Sequence, residues 1–309
     1  METGSLVFLD LEATGLPFTF PRVTELAMFA LSIDRWRELV SGWDKRALSA
    51  KALPEGIRQL NFLVNPQQPS SPEAVMLNGL TDEMLENEAP FSKDTLAKIA
   101  DFLQTLPRPL YLAVHSGTQF DFPLLRKELE DLGDVHCVDT MKVLRAIEKS
   151  WFDELKRLAK ENAKQNPSMK DDSKPNRKRK ANPLSNVESA STDSGSTSQE
   201  KLVVKAVNPG GLEAMPFVEK SGWSVAQSKR LEQQVAFDGR LVTKKKGTAS
   251  LVLTNVFNEL FPDFQDPPNH RALEDTLGLL SVCLAYGQDF LDHIPSSGLK
   301  PLTSFPPMS

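Results

Sequence analysis

Two acids, one residue apart at the end of an apolar run, constrain this chain more than any other feature. Leu6-Val7-Phe8-Leu9-Asp10-Leu11-Glu12 is a short continuous apolar stretch that then turns acidic, the pattern of a buried strand. Strand side chains alternate between faces, so Asp10 and Glu12 project from the same one. Like charges held that close stay ionised together only if cations or hydrogen-bond donors sit between them. A hard divalent cation, which prefers oxygen ligands, meets that need. Ala13-Thr14-Gly15 then breaks the strand, and Gly15 lets the backbone approach a ligand closely. From these residues alone, a strand end carrying two solvated acids explains the pattern equally well.

Composition narrows the choices. With 309 residues and 40% hydrophobic content the chain can bury a sizeable core. Its net charge of −5 gives no overall basic character, so contact with nucleic acid must use local patches and metal ions. Cys137 and Cys283 are the only cysteines and lack metal-ligand spacing, which excludes a disulfide framework and fits two buried thiols in a reducing compartment. No leader pattern opens the chain, and no apolar run approaches the roughly 18 to 20 residues of a membrane span. The expectation is a soluble intracellular protein without a membrane partner.

Along the chain, strands are predicted at Leu6 to Leu11, Glu25 to Asp34 and Gly56 to Val64, with the charged stretch Arg35 to Pro54 as a loop or hairpin extension between the last two. Pro72 to Leu80 reads as a short helix ending near Gly79, Thr81 as the cap of another turn, and Ser92 as the start of a stronger helix that Pro107 stops. Pro109 to Val114 is a strand. It delivers His115-Ser116-Gly117-Thr118-Gln119-Phe120-Asp121-Phe122-Pro123, where Asp121 stands at a helix start, a position that a plain cap also explains. Val135 to Val138 is another strand and Thr140 to Leu158 a helix. An antiparallel meander followed by alternating strands and helices predicts a mixed α/β sheet.

The pattern lapses after about Lys160. Between Asn166 and Glu200 the only large aliphatic residues are Met169, Leu184 and Val187, too little apolar surface to offset ordering entropy. Residues 159–243 are therefore expected to be a mostly disordered insertion between two segments of one domain, 1–158 and 244–294, with 295–309 as a flexible tail. Inside the insertion, Lys174-Pro175-Asn176-Arg177-Lys178-Arg179-Lys180 is compatible with nuclear import, with phosphate contacts or with a merely solvated charge cluster. The expected location is nucleus, cytoplasm or both. Order returns after Lys244, Lys245 and Lys246 with a helix carrying Leu251, Leu253, Val256, Phe257 and Leu260, and a last helix from about Arg271.

His270 lies on a Pro-rich loop five positions before Asp275, which projects from that last helix's first turn. Taken together, Asp10, Glu12, Asp121, His270 and Asp275 resemble the DEDDh 3′→5′ exonucleases of ribonuclease H-like fold. More narrowly, Phe8-Leu9-Asp10-Leu11-Glu12-Ala13-Thr14-Gly15-Leu16-Pro17 and Phe120-Asp121-Phe122-Pro123-Leu124-Leu125 resemble the three-prime repair exonucleases of animals. The resemblance covers about residues 5 to 158 and 244 to 290.

It implies a mixed five-stranded sheet flanked by helices. Asp10, Glu12, Asp121 and Asp275 would hold two Mg²⁺ or Mn²⁺ ions, which stabilise attacking and leaving oxygens. His270 would be the general base toward water, an imidazole's reference pKa of about 6.5 suiting neutral pH. The implied product is a nucleoside 5′-monophosphate, released from DNA 3′ ends, single-stranded or frayed. The resemblance also implies main-chain contacts of Ala13 and Thr14 with the terminal nucleotide, and apolar contacts of Leu16 and Leu77 with a base. Phe120 stands where the family commonly has Tyr, and Ser116 where it commonly has Asn. Lys244 to Lys246 match a basic loop that contacts the DNA backbone. Family members pair as homodimers, edge to edge. An RNA 3′-end exonuclease of the same fold, or a non-catalytic nucleic-acid-binding adaptor, is the alternative.

Overall fold

In the computed structural model the described residues are 1, 3–129, 132–165, 219–232, 250–264 and 268–308. The apolar run forms β1 (Ser5–Ala13), and β2 (Val23–Ser32) folds back antiparallel against it, pairing Phe8 with Phe29, Asp10 with Ala27 and Glu12 with Glu25. The register shifts between Glu12 and Ala13, a bulge that re-aims the strand end where the acids stand. Ser32 then stops the sheet by accepting a hydrogen bond from the Arg35 N–H (3.1 Å), which caps helix α1 (Ile33–Gly42).

That helix replaces the loop or hairpin extension predicted for Arg35 to Pro54. Its charged residues obscure the one-turn spacing of Ile33 and Trp36, both buried; the Trp36 ring lies 6.0 Å from Phe8 and 5.4 Å from Phe290. Strand β3 (Arg58–Leu63) pairs antiparallel with β2 and is the outer strand on that side. Short helices α2 (Pro72–Asn78), capped by Ser71, and α3 (Asp82–Leu85), capped by Thr81 as the sequence indicated, follow, then α4 (Lys93–Gln104).

Next come β4 (Leu110–Val114), parallel to β1, then helix α5 (Asp121–Glu128), β5 (Val135–Asp139), parallel to β4, and helix α6 (Thr140–Gln165). The later chain adds α7 (Val225–Glu232), α8 (Leu253–Leu260), α9 (Ala272–Tyr286) and α10 (Gln288–His293). A two-residue strand, β6 (Lys300–Pro301), completes the sheet order β3-β2-β1-β4-β5-β6. This is a mixed, ribonuclease H-like sheet flanked by helices, with six strands where five were expected.

The sixth strand comes from the supposed flexible tail. Leu302 and Met308 are buried, the Phe305 ring lies tilted 4.8 Å from that of Phe122, and the Met308 N–H donates to the Pro123 carbonyl (2.9 Å). Three apolar residues spaced by three among prolines and serines are too short a run to mark an element, yet the tail packs against α5 and β5.

The insertion needs a similar correction. Helix α6 runs through the expected boundary at 158, and α7 stands inside 159–243 with Ala226, Arg230 and Leu231 buried. The remainder, 166–218 and 233–249, lies outside the described residues, together with the expected disorder, the basic cluster at 174–180 and Lys244 to Lys246. Among the described residues no helix is long and apolar enough to cross a membrane.

Alternation along β1 divides the core. Val7, Leu9 and Leu11 pack toward α4 and α5, whereas Leu6 and Phe8 pack with α1, α6, α8, α9 and α10. Asp10 and Glu12 continue the Leu6–Phe8 row, so they emerge on the face that α9 covers.

Candidate active site

Helix α9 lies across β1 and β2 with its first turn at the end of the Leu6–Phe8 row, and that placement brings Asp275 to the two strand acids. Carboxylate oxygens of Asp10, Glu12 and Asp275 lie within 4.8 Å of one another. Asp121, the first residue of α5, is buried and stands outside that group of three. Its charge nevertheless reaches both strand acids.

Electrostatics describe a site short of positive charge. Burial, then Asp121, Asp275, Glu12 and Glu25, hold the Asp10 carboxyl well above the usual carboxylate range. Burial first, with Asp275, Glu25 and Asp121, pushes Glu12 up to about 8, although a hydrogen bond from the Asn78 amide (3.2 Å) opposes the rise. Burial and the Asp139 charge push Asp121 up to about 7. Asp275 is raised as well, chiefly by burial, and held back by the nearby His270 and by two backbone N–H groups. Four acids that resist ionising together, all with hard oxygen donors, fit divalent cations such as Mg²⁺ or Mn²⁺.

His270 is exposed, on the loop entering α9, with φ of 63°. That left-handed conformation is unfavourable for a side chain by about 1 kcal/mol, so contacts must impose it. Oδ1 of Asp275 accepts the backbone N–H groups of Asn269 (2.9 Å) and His270 (3.2 Å), which ties the loop to the acid while leaving Oδ2 for a cation. Behind the loop, Gly278 lets Pro268 rest on α9: a Cβ there would lie 2.5 Å from the proline ring. Of the five polar residues expected from the sequence, Asp10, Glu12 and Asp275 meet directly, Asp121 acts on them through its charge, and His270 is tied to Asp275 through its backbone N–H.

The residues expected to touch substrate divide. Leu16 (54% exposed) and Leu77 (57% exposed) stand at the surface. Helix α2 is fastened beside β1 by the Ser71 N–H to the Thr14 carbonyl (2.7 Å) and by Asn78 to Glu12. Thr14 is buried, its N–H donates to the Arg22 carbonyl, and its hydroxyl accepts from Gln68 and from the Arg22 N–H. Ala13 is buried in the sheet. The Phe120 ring is partly buried against the α4–α5 side of the core. Lys244, Lys245 and Lys246 lie outside the described residues.

Sequence reasoning missed three contributors. Asn78 looked like helix-end filler before Gly79, yet its amide holds Glu12. Glu25 looked like the edge of a strand, but it is 1% exposed and is the cross-strand partner of Glu12. Arg271 makes a bidentate ion pair with Glu25 (2.9 and 3.3 Å). Glu25 and Arg271 lie 246 positions apart, so nothing local in the sequence joined them.

A composite acidic site at the end of a mixed sheet, with a histidine beside it, is the arrangement of a nuclease, and the chain belongs to the exonuclease family: the family model described as Exonuclease (RNase_T) matches residues 7–169. Over 153 residues it is 39% identical to three-prime repair exonuclease 1 of Bos taurus, covering 47% of this chain and 48% of that protein. It is 33% identical over 153 residues to three prime repair exonuclease 2 of Homo sapiens, covering 47% and 63%. The chain thus spans about half the length of the first of these relatives and under two thirds of the second. Among solved structures, the nuclease domain of 3′hExo, a DEDDh family member bound to rAMP, aligns at 13% identity and a TM-score of 0.34, covering 46% of this chain and 70% of that one.

Proposed function

We propose that this protein is a metal-dependent 3′→5′ exonuclease acting on DNA and releasing nucleoside 5′-monophosphates from single-stranded or frayed ends. The observation that carries the reading is the meeting of Asp10, Glu12 and Asp275 within 4.8 Å, with Asp121 electrostatically joined to them, in a chain of the exonuclease family. Asp10, Glu12, Asp121 and Asp275 would hold two divalent ions. Bound there, such ions supply Lewis-acid stabilisation of charge on the attacking and leaving oxygens of an in-line displacement.

The chain's own residues do the rest. His270 takes the proton from the attacking water, and its place on the solvent side of Asp275 gives that proton a way out. Leu16 and Leu77 present apolar faces to the terminal base, a contact tolerant of base identity. Lys244 to Lys246 hold backbone phosphate. The outer strand β3, whose side chains are largely exposed, pairs two copies into a dimer, and the cluster at 174–180 serves nuclear import.

The test is hydrolysis of 3′-labelled deoxyribo- and ribo-oligonucleotides of one sequence, with Mg²⁺, with Mn²⁺ and with chelator. The expected result is mononucleotide release from DNA that chelator and His270→Ala both abolish. Turnover that survives either would refute the site, and preference for the ribo-oligonucleotide would move the substrate to RNA.

A further inference from the structure

The general base has no support from regular structure: His270 sits in a left-handed conformation on a loop. Two carboxylates grip that loop from opposite sides. Asp275 takes the N–H groups of Asn269 and His270, before and at the histidine. Glu25 takes everything after it: Oε2 accepts from Arg271 Nε (2.9 Å) and from the Ala272 N–H (3.1 Å), and Oε1 accepts from Arg271 Nη2 (3.3 Å).

Glu25 is itself fixed. It is 1% exposed in β2, and its neighbour across the ladder is Glu12, one of the acids of the site. A buried carboxylate without a cation would be strongly disfavoured, and the guanidinium of Arg271 is what compensates it. The flat, two-pronged pairing also sets the direction in which the chain leaves His270, because a bidentate pair fixes orientation as well as distance.

We propose that Glu25 and Arg271 form a positioning clamp that aims His270 at the attacking water, with β2 as the rigid reference that keeps the base in register with the acids on β1. This inference rests on the proposed exonuclease reading for its consequence in turnover, though the clamp itself is a statement about geometry. Neither residue touches substrate; both act through His270.

The test pairs two variants with two measurements. Arg271→Met alone leaves Glu25 buried and unpaired and will destabilise the protein, so Glu25→Gln/Arg271→Gln, which removes both charges and keeps hydrogen-bonding capacity, is the main variant. Its kcat on a 3′-labelled single-stranded DNA oligonucleotide with Mg²⁺ is expected to fall about tenfold or more while KM moves less than about twofold, since a misaimed base slows chemistry without loosening binding. In parallel, the imidazole resonances of the chain's 4 histidines, with His270 assigned by its loss in His270→Ala, should shift for His270 and hold for His115, His136 and His293. A folded double variant with wild-type kcat, a change in KM alone, or an unmoved His270 resonance would each overturn the clamp. If the wild type released no nucleotide, the exonuclease reading would fall, and the resonance measurement would still decide the clamp.

Discussion

Replacing Glu12 with Gln should make the metal-free protein more stable at alkaline pH while removing its function. The native environment raises the Glu12 carboxyl from 4.5 to about 8, so the folded state keeps that proton longer than the unfolded chain. The sign follows: between pH of about 4.5 and about 8 the native state binds more protons, and the contribution of Glu12 to stability falls as pH rises. Above about 8 the whole contribution is lost, a ceiling of ~5 kcal/mol at ~1.4 kcal/mol for each step in pKa. Glu12 keeps some contact with solvent, so about 2 kcal/mol is the working expectation. Gln has nearly the same shape, retains an acceptor for the Asn78 amide, and also removes one charge that burdens Asp10. Urea unfolding of both proteins in chelator at pH 5, 7 and 9 measures the difference. The curves should nearly coincide at pH 5 and diverge in favour of the variant by pH 9. Divalent ions should rescue wild type at pH 9 and leave the variant where it was. A variant equally destabilised at every pH would refute the electrostatic account of the site.

Three other outcomes follow from the packing. Arg230→Met leaves Glu148 and Glu259 without the guanidinium that each meets at 2.6 and 2.7 Å, and thermal or urea unfolding should show a loss of about 3 kcal/mol. Trp36→Ala empties a fully buried position between Phe8 and Phe290 and should cost about 3 to 5 kcal/mol by the same measurement. Leu77→Ala, at an exposed position, should leave stability within about 0.5 kcal/mol of wild type and weaken oligonucleotide binding by roughly tenfold in a titration with the chelated protein.

The sequence made the strands of the sheet centre and the first two acids readable for one reason: their information is local. A continuous apolar run specifies a buried strand, and the two-residue period alone puts Asp10 and Glu12 on one face. Asp275 and His270 were readable only as members of a pattern, since a helix-start Asp and a loop His have ordinary explanations. The misreadings share a cause. Helix α1 hides Ile33 and Trp36 among charges, α7 reads as polar because its central buried side chain is an Arg, and the tail's Leu302, Phe305 and Met308, three residues apart, stand among prolines and serines in too short a run to mark an element. In each case the partner that buries the residue is far away in sequence, so no window along the chain contains both halves of the interaction.

Glu25 shows how that limit bears on function. Read along the chain it is an acid at the head of an apolar run, the ordinary edge of a strand. Folding pairs it with Glu12 on one side and with Arg271, 246 positions later, on the other. A buried acid beside other acids, none of which it joins as a ligand of the proposed ions, would be a liability if the site had only to collect negative charge. Its presence makes sense if the site must also hold a cation of its own, at a fixed place, to shape the loop that carries His270. On the proposed reading, the four acids divide from the fifth by what would compensate them: divalent ions for Asp10, Glu12, Asp121 and Asp275, whereas the Arg271 guanidinium pairs with Glu25. That division is a physical reason for Arg, and not Lys, to follow His270, because only the planar fork can pair both carboxylate oxygens at once.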